Sequence, residues 1–260
     1  MSRSTYYYHE THEAADRQSL ERPVIREICL GADMRYGYRR VASELKRRTG
    51  LCLSGKTVLK VMREEGLTCA RRRRRKYRSY AGKVGKVAPN LLGRSFRAAA
   101  PMTKLVTDVT ELKVAGRKLY LSPVIDLFND EVVAYSMSTS PNMRMIQEML
   151  EQLEPRIPDG AMPLMHSDQG WQYQMPFYVQ ALQRMGIIQS MSRKGNCLDN
   201  SKAENFFSML KTELYFDWEG ESVQELEIAV RDYIDWYNTR RVKMGLKGKS
   251  PVEYRLDWAA

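Results

Sequence analysis

Three carboxylates in this 260-residue chain sit where metal-dependent phosphate chemistry would need them. Asp108 lies in Thr107-Asp108-Val109-Thr110, Asp168 in His166-Ser167-Asp168-Gln169-Gly170, and Glu204 in Ser201-Lys202-Ala203-Glu204-Asn205-Phe206-Phe207. Between Asp168 and Glu204 lie 35 residues, between Asp108 and Asp168 lie 59, and Lys211 is seven beyond Glu204. Carboxylates from separate elements of one α/β domain can converge on a pair of hard divalent cations, which take oxygen ligands and keep positions open for phosphate and water. Two such ions about 4 Å apart activate the attacking oxygen and stabilise the leaving one in phosphoryl transfer. Each residue also has a plainer reading. Asp108 could mark the exposed face of an edge strand, Asp168 an ordinary Asx turn, and Ser201 with Glu204 a capping box serving its own helix. Spacing alone favours the capping box. Lys211 has the plainer reading of a surface lysine, which its place two turns beyond Glu204 outweighs.

The elements that must position these groups follow from periodicity and punctuation. A β-branched strand spans 105–112, with Asp108 inside it. Strands at 119–127 and 131–137 form a hairpin about Asn129-Asp130. Pro123 is awkward inside a strand and implies a bulge or an edge. Ser140 caps and Pro141 starts a helix to about 154, with Met145, Ile146, Met149, Leu150 and Leu153 facing inward. A short strand at 163–166 leads to Asp168, a helix runs from 176 to Gly186, and a strand covers 187–191. The helix 201–214 carries one apolar stripe (Ala203, Phe206, Phe207, Leu210, Leu214) and one polar stripe (Glu204, Ser208, Lys211), since seven residues make nearly two turns. A further amphipathic helix covers 223–241, and a basic tail runs from 243 to 254. Periodicity defines an α/β protein and goes no further.

The rest of the chain points to a polyanion. Lys and Arg number 42 against 31 Asp and Glu, a net charge of +11. Nucleic acid is the natural partner, because no segment is apolar enough to span a bilayer. Residues 1–69 read as helical. Val41 and Leu45 recur at helical spacing in 38–48, and Ser54 caps a second helix, 55–65, closed by Gly66. Val58, Val61 and Met62 face inward there; Lys56, Lys60 and Arg63 face out. Two helices on a short turn suit a helix-turn-helix as well as a plain helical hairpin. Nine of the sixteen residues 71–86 are Lys or Arg, with Arg71, Arg72, Arg73, Arg74, Arg75 and Lys76 consecutive. Such a run stays extended without a partner, and next to a DNA-reading unit it suits a phosphate-binding arm. Cys29, Cys52, Cys69 and Cys197 are scattered without a Cys-x-x-Cys pair, which argues against zinc and fits a reducing cytoplasm.

The segment Met191-Ser192-Arg193-Lys194-Gly195-Asn196-Cys197-Leu198-Asp199-Asn200, the interval from Asp168 to Glu204 and the lysine seven later carry a resemblance. The chain resembles the OrfB-type DDE transposases of bacterial insertion sequences, in the retroviral-integrase superfamily, over nearly its whole length. Tyr36-Gly37-Tyr38-Arg39-Arg40-Val41 and Ser250-Pro251-Val252-Glu253-Tyr254 are also similar to family segments. The resemblance implies a ribonuclease-H-like fold, a mixed five-stranded sheet with helices on both faces, preceded by a helix-turn-helix-like region. The implied parse is 1–69 DNA-binding, 70–100 basic arm, 101–217 catalytic core and 218–260 helical extension with basic tail. Asp108, Asp168 and Glu204 then become catalytic residues and ligands of two Mg²⁺, replaceable by Mn²⁺. Lys56, Lys60, the arm 71–76, Arg193, Lys194 and Lys211 become DNA contacts. The implied reaction is strand cleavage and strand transfer, typically first onto the other end of the same element, giving a circular intermediate. Implied partners are terminal inverted repeats, target DNA, further copies of the chain and the product of an upstream reading frame, in the bacterial cytoplasm at the nucleoid. Two alternatives stay open: a ribonuclease-H-like nuclease that only hydrolyses, and a non-catalytic DNA-binding regulator. Leu105 departs from the family's frequent Trp. Relatives place another helix before Ser2–Tyr8, which implies a truncated or alternatively started product. His166 is expected to be structural or close to phosphate, and Asp126 and Glu111 fall outside the family pattern.

Overall fold

The computed structural model describes residues 18–67, 69, 87–216 and 218–260. It divides into two compact units, Met1–Ala70 and Arg71–Ala260. In the first, α1 (Glu21–Gly31), α2 (Tyr38–Thr49) and α3 (Gly55–Glu64) close around Ile25, Ile28, Val41, Leu45, Val58, Val61 and Met62. Gly50 ends α2 with φ +74°, its amide bonded to the Lys46 carbonyl, the left-handed stop that glycine makes easily. The Ser54 hydroxyl accepts from the Thr57 amide at 3.1 Å and starts α3, as its position predicts. Arg22 and Arg26 of α1 reach Glu64 and Glu65 at the far end of α3.

The second unit is a mixed sheet with helices. Its strands are β1 (Lys104–Thr107), β2 (Thr110–Val114), β3 (Arg117–Asp126), β4 (Val132–Ser138), β5 (Leu164–Ser167) and β6 (Ile188–Met191). β3 pairs antiparallel with β4 along 120–125, with β2 along 117–121 and with β1 along 124–126. A strand has two edges, so β1 and β2 must share the edge that β4 leaves free. Their registers agree: Thr107 faces Val124, and Thr110 faces Leu121. The expected single strand 105–112 is thus two strands in one register, interrupted at Asp108-Val109. That register sets Asp108 opposite Pro123, which has no N–H to offer a ladder. Pro123 lies inside a strand flanked on both edges, and the expected bulge falls one residue on, between Val124 and Ile125. β5 and β6 add parallel strands beside β1. Six segments therefore fill five positions, in the order β4, β3, β1/β2, β5, β6.

α4 (Met143–Leu153) and α5 (Pro176–Arg184) cover one face, sharing a core with Leu105, Val124, Ala134 and Met165. Leu105, at the position where Trp was expected, is wholly buried there. The α4 cap is Asn142, whose carbonyl oxygen accepts from the Met145 amide at 2.9 Å, and not the expected Ser140. α6 (Ser201–Leu214) packs on β1, and α7 (Val223–Thr239) on β3 and β4, from the other side. α8 (Pro251–Ala259) follows, opened by a capping box of Ser250 and Glu253, so the expected tail ends in a helix.

The β3–β4 turn is a junction for the chain's end. Asp126 accepts from the Met102 and Phe128 amides at 2.8 and 2.9 Å. Asn129 donates to the Pro251 carbonyl at 2.8 Å, and Arg255 pairs with Glu131 at 2.7 Å. Asn238 of α7 takes the Val132 amide and donates to its carbonyl. None of the described helices is long and apolar enough to cross a membrane.

Candidate active site

Asp108 and Asp168 each stand one residue past the carboxyl end of a strand, β1 and β5, and these strands are parallel neighbours. Val106 pairs with His166. Two residues further, the same register sets Asp108 level with Asp168. Ligands of open α/β sheets gather at such strand ends. Asp108 folds back to accept from the Val109 amide at 2.7 Å, and Asp168 accepts from the Gly170 amide at 2.8 Å. Gly170 has no room for a side chain, since a Cβ would stand 2.9 Å from Asp168 Oδ1 and 2.6 Å from Gln172 Nε2.

Glu204 approaches from α6. That helix starts after Asn200 with no side-chain cap, so the capping box that spacing alone would favour is not formed and the Glu204 carboxylate is left for other work. Asn200 donates to the Thr107 carbonyl at 3.4 Å, which ties the head of α6 beside Asp108.

The charges of these groups are felt by one another. Burial, then the Asp168 charge, push the Asp108 carboxyl well above the usual range; Glu204 acts the same way, and the Val109 amide and Lys211 oppose it. Burial raises Asp168 against the Gly170 amide, and burial followed by Asp168 raises Glu204. Behind them Tyr173 is wholly buried, its phenol raised by burial and then by Asp108 and Asp168. Asn200 Oδ1 is buried without a hydrogen-bond partner. A cluster of like charges with an orphaned polar atom beside it suits a hard cation, and all three carboxylates supply the oxygen donors that cation takes. Among the described residues, no three Asp, Glu, His or Cys side chains already close on a single ion position. Glu204 is exposed on its helix.

The other expected residues fall as follows. His166 is buried, bonded to Ser190 at 2.8 Å and Ser192 at 3.0 Å, and burial lowers its pKa to about 4, so it is a neutral structural bridge from β5 to β6. Glu111 pairs with Lys118 at the surface, away from the carboxylate group. Arg193 is committed to Asp199 by two bonds of 2.9 Å, and Lys194 is exposed. Lys56 and Lys60 are exposed on α3, with Lys60 3.7 Å from Glu64. Arg71, Arg72, Arg73, Arg74, Arg75 and Lys76 lie outside the described residues.

Three clamps that sequence reasoning missed hold α6. Asp199, wholly buried, receives Arg193, Arg94 at 2.8 Å and Asn90 at 3.0 Å, which hold its carboxyl far below the usual range. Asp130 receives Lys202 at 3.0 Å and Lys243 at 2.6 Å. Glu213 receives the buried Arg241 at 2.6 and 2.8 Å and the Tyr233 hydroxyl at 2.8 Å. Their partners lie up to about a hundred residues away, beyond the reach of local pattern.

Known proteins share this chain's sequence and fold. An integrase core domain model matches residues 98–197, a second integrase core model 204–257, and an HTH-like domain model 14–76. The chain is 49% identical over 256 residues to the inferred transposase InsK of insertion sequence element IS150 from Escherichia coli K12, covering 98% of this chain and 90% of that one. It is 33% identical to the transposase of IS904 from Lactococcus lactis, covering 94% and 98%. The simian T-cell lymphotropic virus intasome, solved with the PP2A regulatory subunit B56 gamma, shares the fold with a TM-score of 0.51 at 15% identity, over 82% of this chain and 70% of that one. A ribonuclease-H-like sheet with acidic groups at its central strand ends defines a polynucleotidyl transferase of the integrase class. Within that class, the chain belongs to the insertion-sequence transposases.

Proposed function

We propose that Asp108, Asp168 and Glu204 are the catalytic and metal-binding residues of DNA strand cleavage and strand transfer. The observation that supports this best is the level placement of Asp108 and Asp168 beyond adjacent parallel strands, with the Glu204 charge reaching Asp108 and the Asp168 charge reaching Glu204. Two Mg²⁺, or Mn²⁺ in their place, would supply activation of the attacking oxygen and stabilisation of the leaving one when bound there. Asp108 and Asp168 would hold the ions from the ends of β1 and β5, and Glu204 from α6. Lys211, two turns along the same helix, orients a DNA phosphate. Water first opens a phosphodiester and exposes a 3′-hydroxyl at an element end. That hydroxyl then attacks a second phosphodiester in line, with no covalent bond from protein to DNA.

The DNA substrates in this reading are the terminal inverted repeats and the target. Lys56, Lys60, the arm Arg71 to Lys76 and Lys194 contribute phosphate contacts, which give affinity without sequence information. Arg193 contributes its free edge beyond the Asp199 pair. Further copies of the chain assemble on the DNA in the bacterial cytoplasm, at the nucleoid, and the product of an upstream reading frame supplies end preference. The regions 1–69, 70–100, 101–217 and 218–260 act as reader, arm, catalytic core and brace.

The test incubates the purified chain with labelled terminal-repeat DNA and Mg²⁺. Joined strands support the reading. Cleavage without joining marks a hydrolase, and binding without either marks a regulator. Competition against random DNA, with and without the upstream product fused to the N-terminus, tests the partner. A chain that alone prefers the repeat by about a hundredfold, well into the specific range, removes the need for it.

A further inference from the structure

Immediately after Asp168 the chain does something costly in water. Trp171 is 44% exposed, Met175 40% and Phe177 41%, three large apolar side chains within seven residues. The segment presenting them is firmly held. Tyr173 is wholly buried and meets Tyr178 edge to face with centroids 5.2 Å apart. Gln174 donates to the Gln169 carbonyl at 2.6 Å, and Gln189 donates to the Tyr173 carbonyl at 2.7 Å. The Gly170 turn that holds the Asp168 carboxylate is the same turn that sends Trp171 outward. Exposed aromatics on a rigid support mark binding surfaces more often than lapses of folding.

The charge beside this patch indicates its occupant. Gln169 Nε2 donates to the Ser192 carbonyl at 3.0 Å, which fastens the 169–174 segment to the loop carrying Arg193 and Lys194. Both are exposed, Arg193 with 60% of its side chain. Exposed aromatics on a segment tied to a loop with two exposed cations, starting three residues from a catalytic carboxylate, supply what single-stranded nucleic acid requires, bases to stack and phosphates to neutralise.

We infer that Trp171, supported by Met175 and Phe177, is a stacking platform for an unpaired nucleobase next to the phosphate undergoing exchange. The inference rests on the transposase reading and adds the state of DNA that the site grips, a strand end freed from its partner. Stacking is tolerant of sequence, so the platform holds whichever base flanks the element.

The test uses two duplexes of one sequence, one blunt and one ending in a five-nucleotide 5′ overhang with 2-aminopurine as its first unpaired base. The wild-type chain should bind the overhang duplex about tenfold more tightly than the blunt one, as one stacked base allows, and should quench the probe. Trp171→Ala should bring the overhang affinity down to that of the blunt duplex and leave the probe bright. Trp171→Phe should retain most of the preference. A thermal midpoint of Trp171→Ala matching wild type shows that folding is not the cause. Equal wild-type affinity for the two duplexes, or undiminished preference and quenching in Trp171→Ala, overturns the inference alone. So does a free chain that self-associates through this patch and is dissociated by Trp171→Ala. A wild-type chain that binds neither duplex overturns the DNA reading with it.

Discussion

Arg241→Met should be among the most destabilising single changes in the catalytic unit. Arg241 is 1% exposed at its side chain and Glu213 8%. The guanidinium gives Glu213 two hydrogen bonds, of 2.8 and 2.6 Å, and lies 5.4 Å from the Tyr237 ring centroid. Methionine fills much of the same space and leaves the Glu213 carboxylate buried without its guanidinium partner. Removing one partner of a buried pair costs about 3–5 kcal/mol, because the other charge stays behind uncompensated. In a unit of this size each kcal/mol moves the melting midpoint by about 2–4 °C, so the shift should be roughly 6–20 °C downward. The double variant Glu213→Leu/Arg241→Met should recover most of that loss, since an apolar pair of similar volume need not be weaker than the ion pair. Urea unfolding followed by tryptophan fluorescence, on both single variants and the double, gives the coupling energy directly. An Arg241→Met protein within about 1 kcal/mol of wild type, or a double variant no more stable than the single, would refute the account of α6 as a helix pinned by a buried charge.

The remaining expectations concern the site more directly. Asp108→Asn, Asp168→Asn and Glu204→Gln should each abolish strand cleavage and joining in a gel assay while duplex binding persists, with losses that do not add because the three act as one unit. Gly170→Ala should lower the rate by about a hundredfold through displacement of Asp168, with a much smaller effect on the melting midpoint; an unchanged rate would show that the turn has slack. Asp199→Asn should be destabilised at neutral pH. The folded Asp199 carboxyl is depressed, so its contribution is complete above the ordinary carboxylate pKa and is lost only as pH falls toward the depressed value. The gap between wild type and Asp199→Asn in urea midpoints should therefore persist through pH 4 and close only in stronger acid.

Much of the architecture could be read from pattern because it is local. The helix 201–214 has the bounds its apolar stripe implies, and the inner side of α4 is the expected set of five residues. The misreadings share a cause. The strand 105–112 looked continuous because its register is continuous; the interruption comes from a proline in a different strand. The capping box that Ser201 and Glu204 spell, which the Asp168–Glu204 interval already outweighs, does not form, because a 3-10 turn over Cys197–Asn200 leads directly into α6 and leaves no extended residue to act as cap. At the candidate site, types and spacing pointed to the carboxylates, whereas their level placement is a property of the β1–β5 pairing. The three clamps on α6 were illegible, since Asp130, Arg94 and Arg241 have no sequence relation to the helix they hold.

The junction at the β3–β4 turn also has a consequence in time. Glu131 meets Arg255 across 124 residues, and Asn129 meets the Pro251 carbonyl across 122. At about 5–20 residues per second, a ribosome needs roughly 6–25 s to pass from one partner to the other. Through that interval the hairpin exists with its polar turn unsealed, and from its own synthesis until residues 241 and 243 emerge α6 lacks Arg241 while Asp130 lacks Lys243. The carboxylate helix is thus locked into place by residues 241–255, so a chain released before them would carry Asp108, Asp168 and Glu204 and lack the brace that aims them.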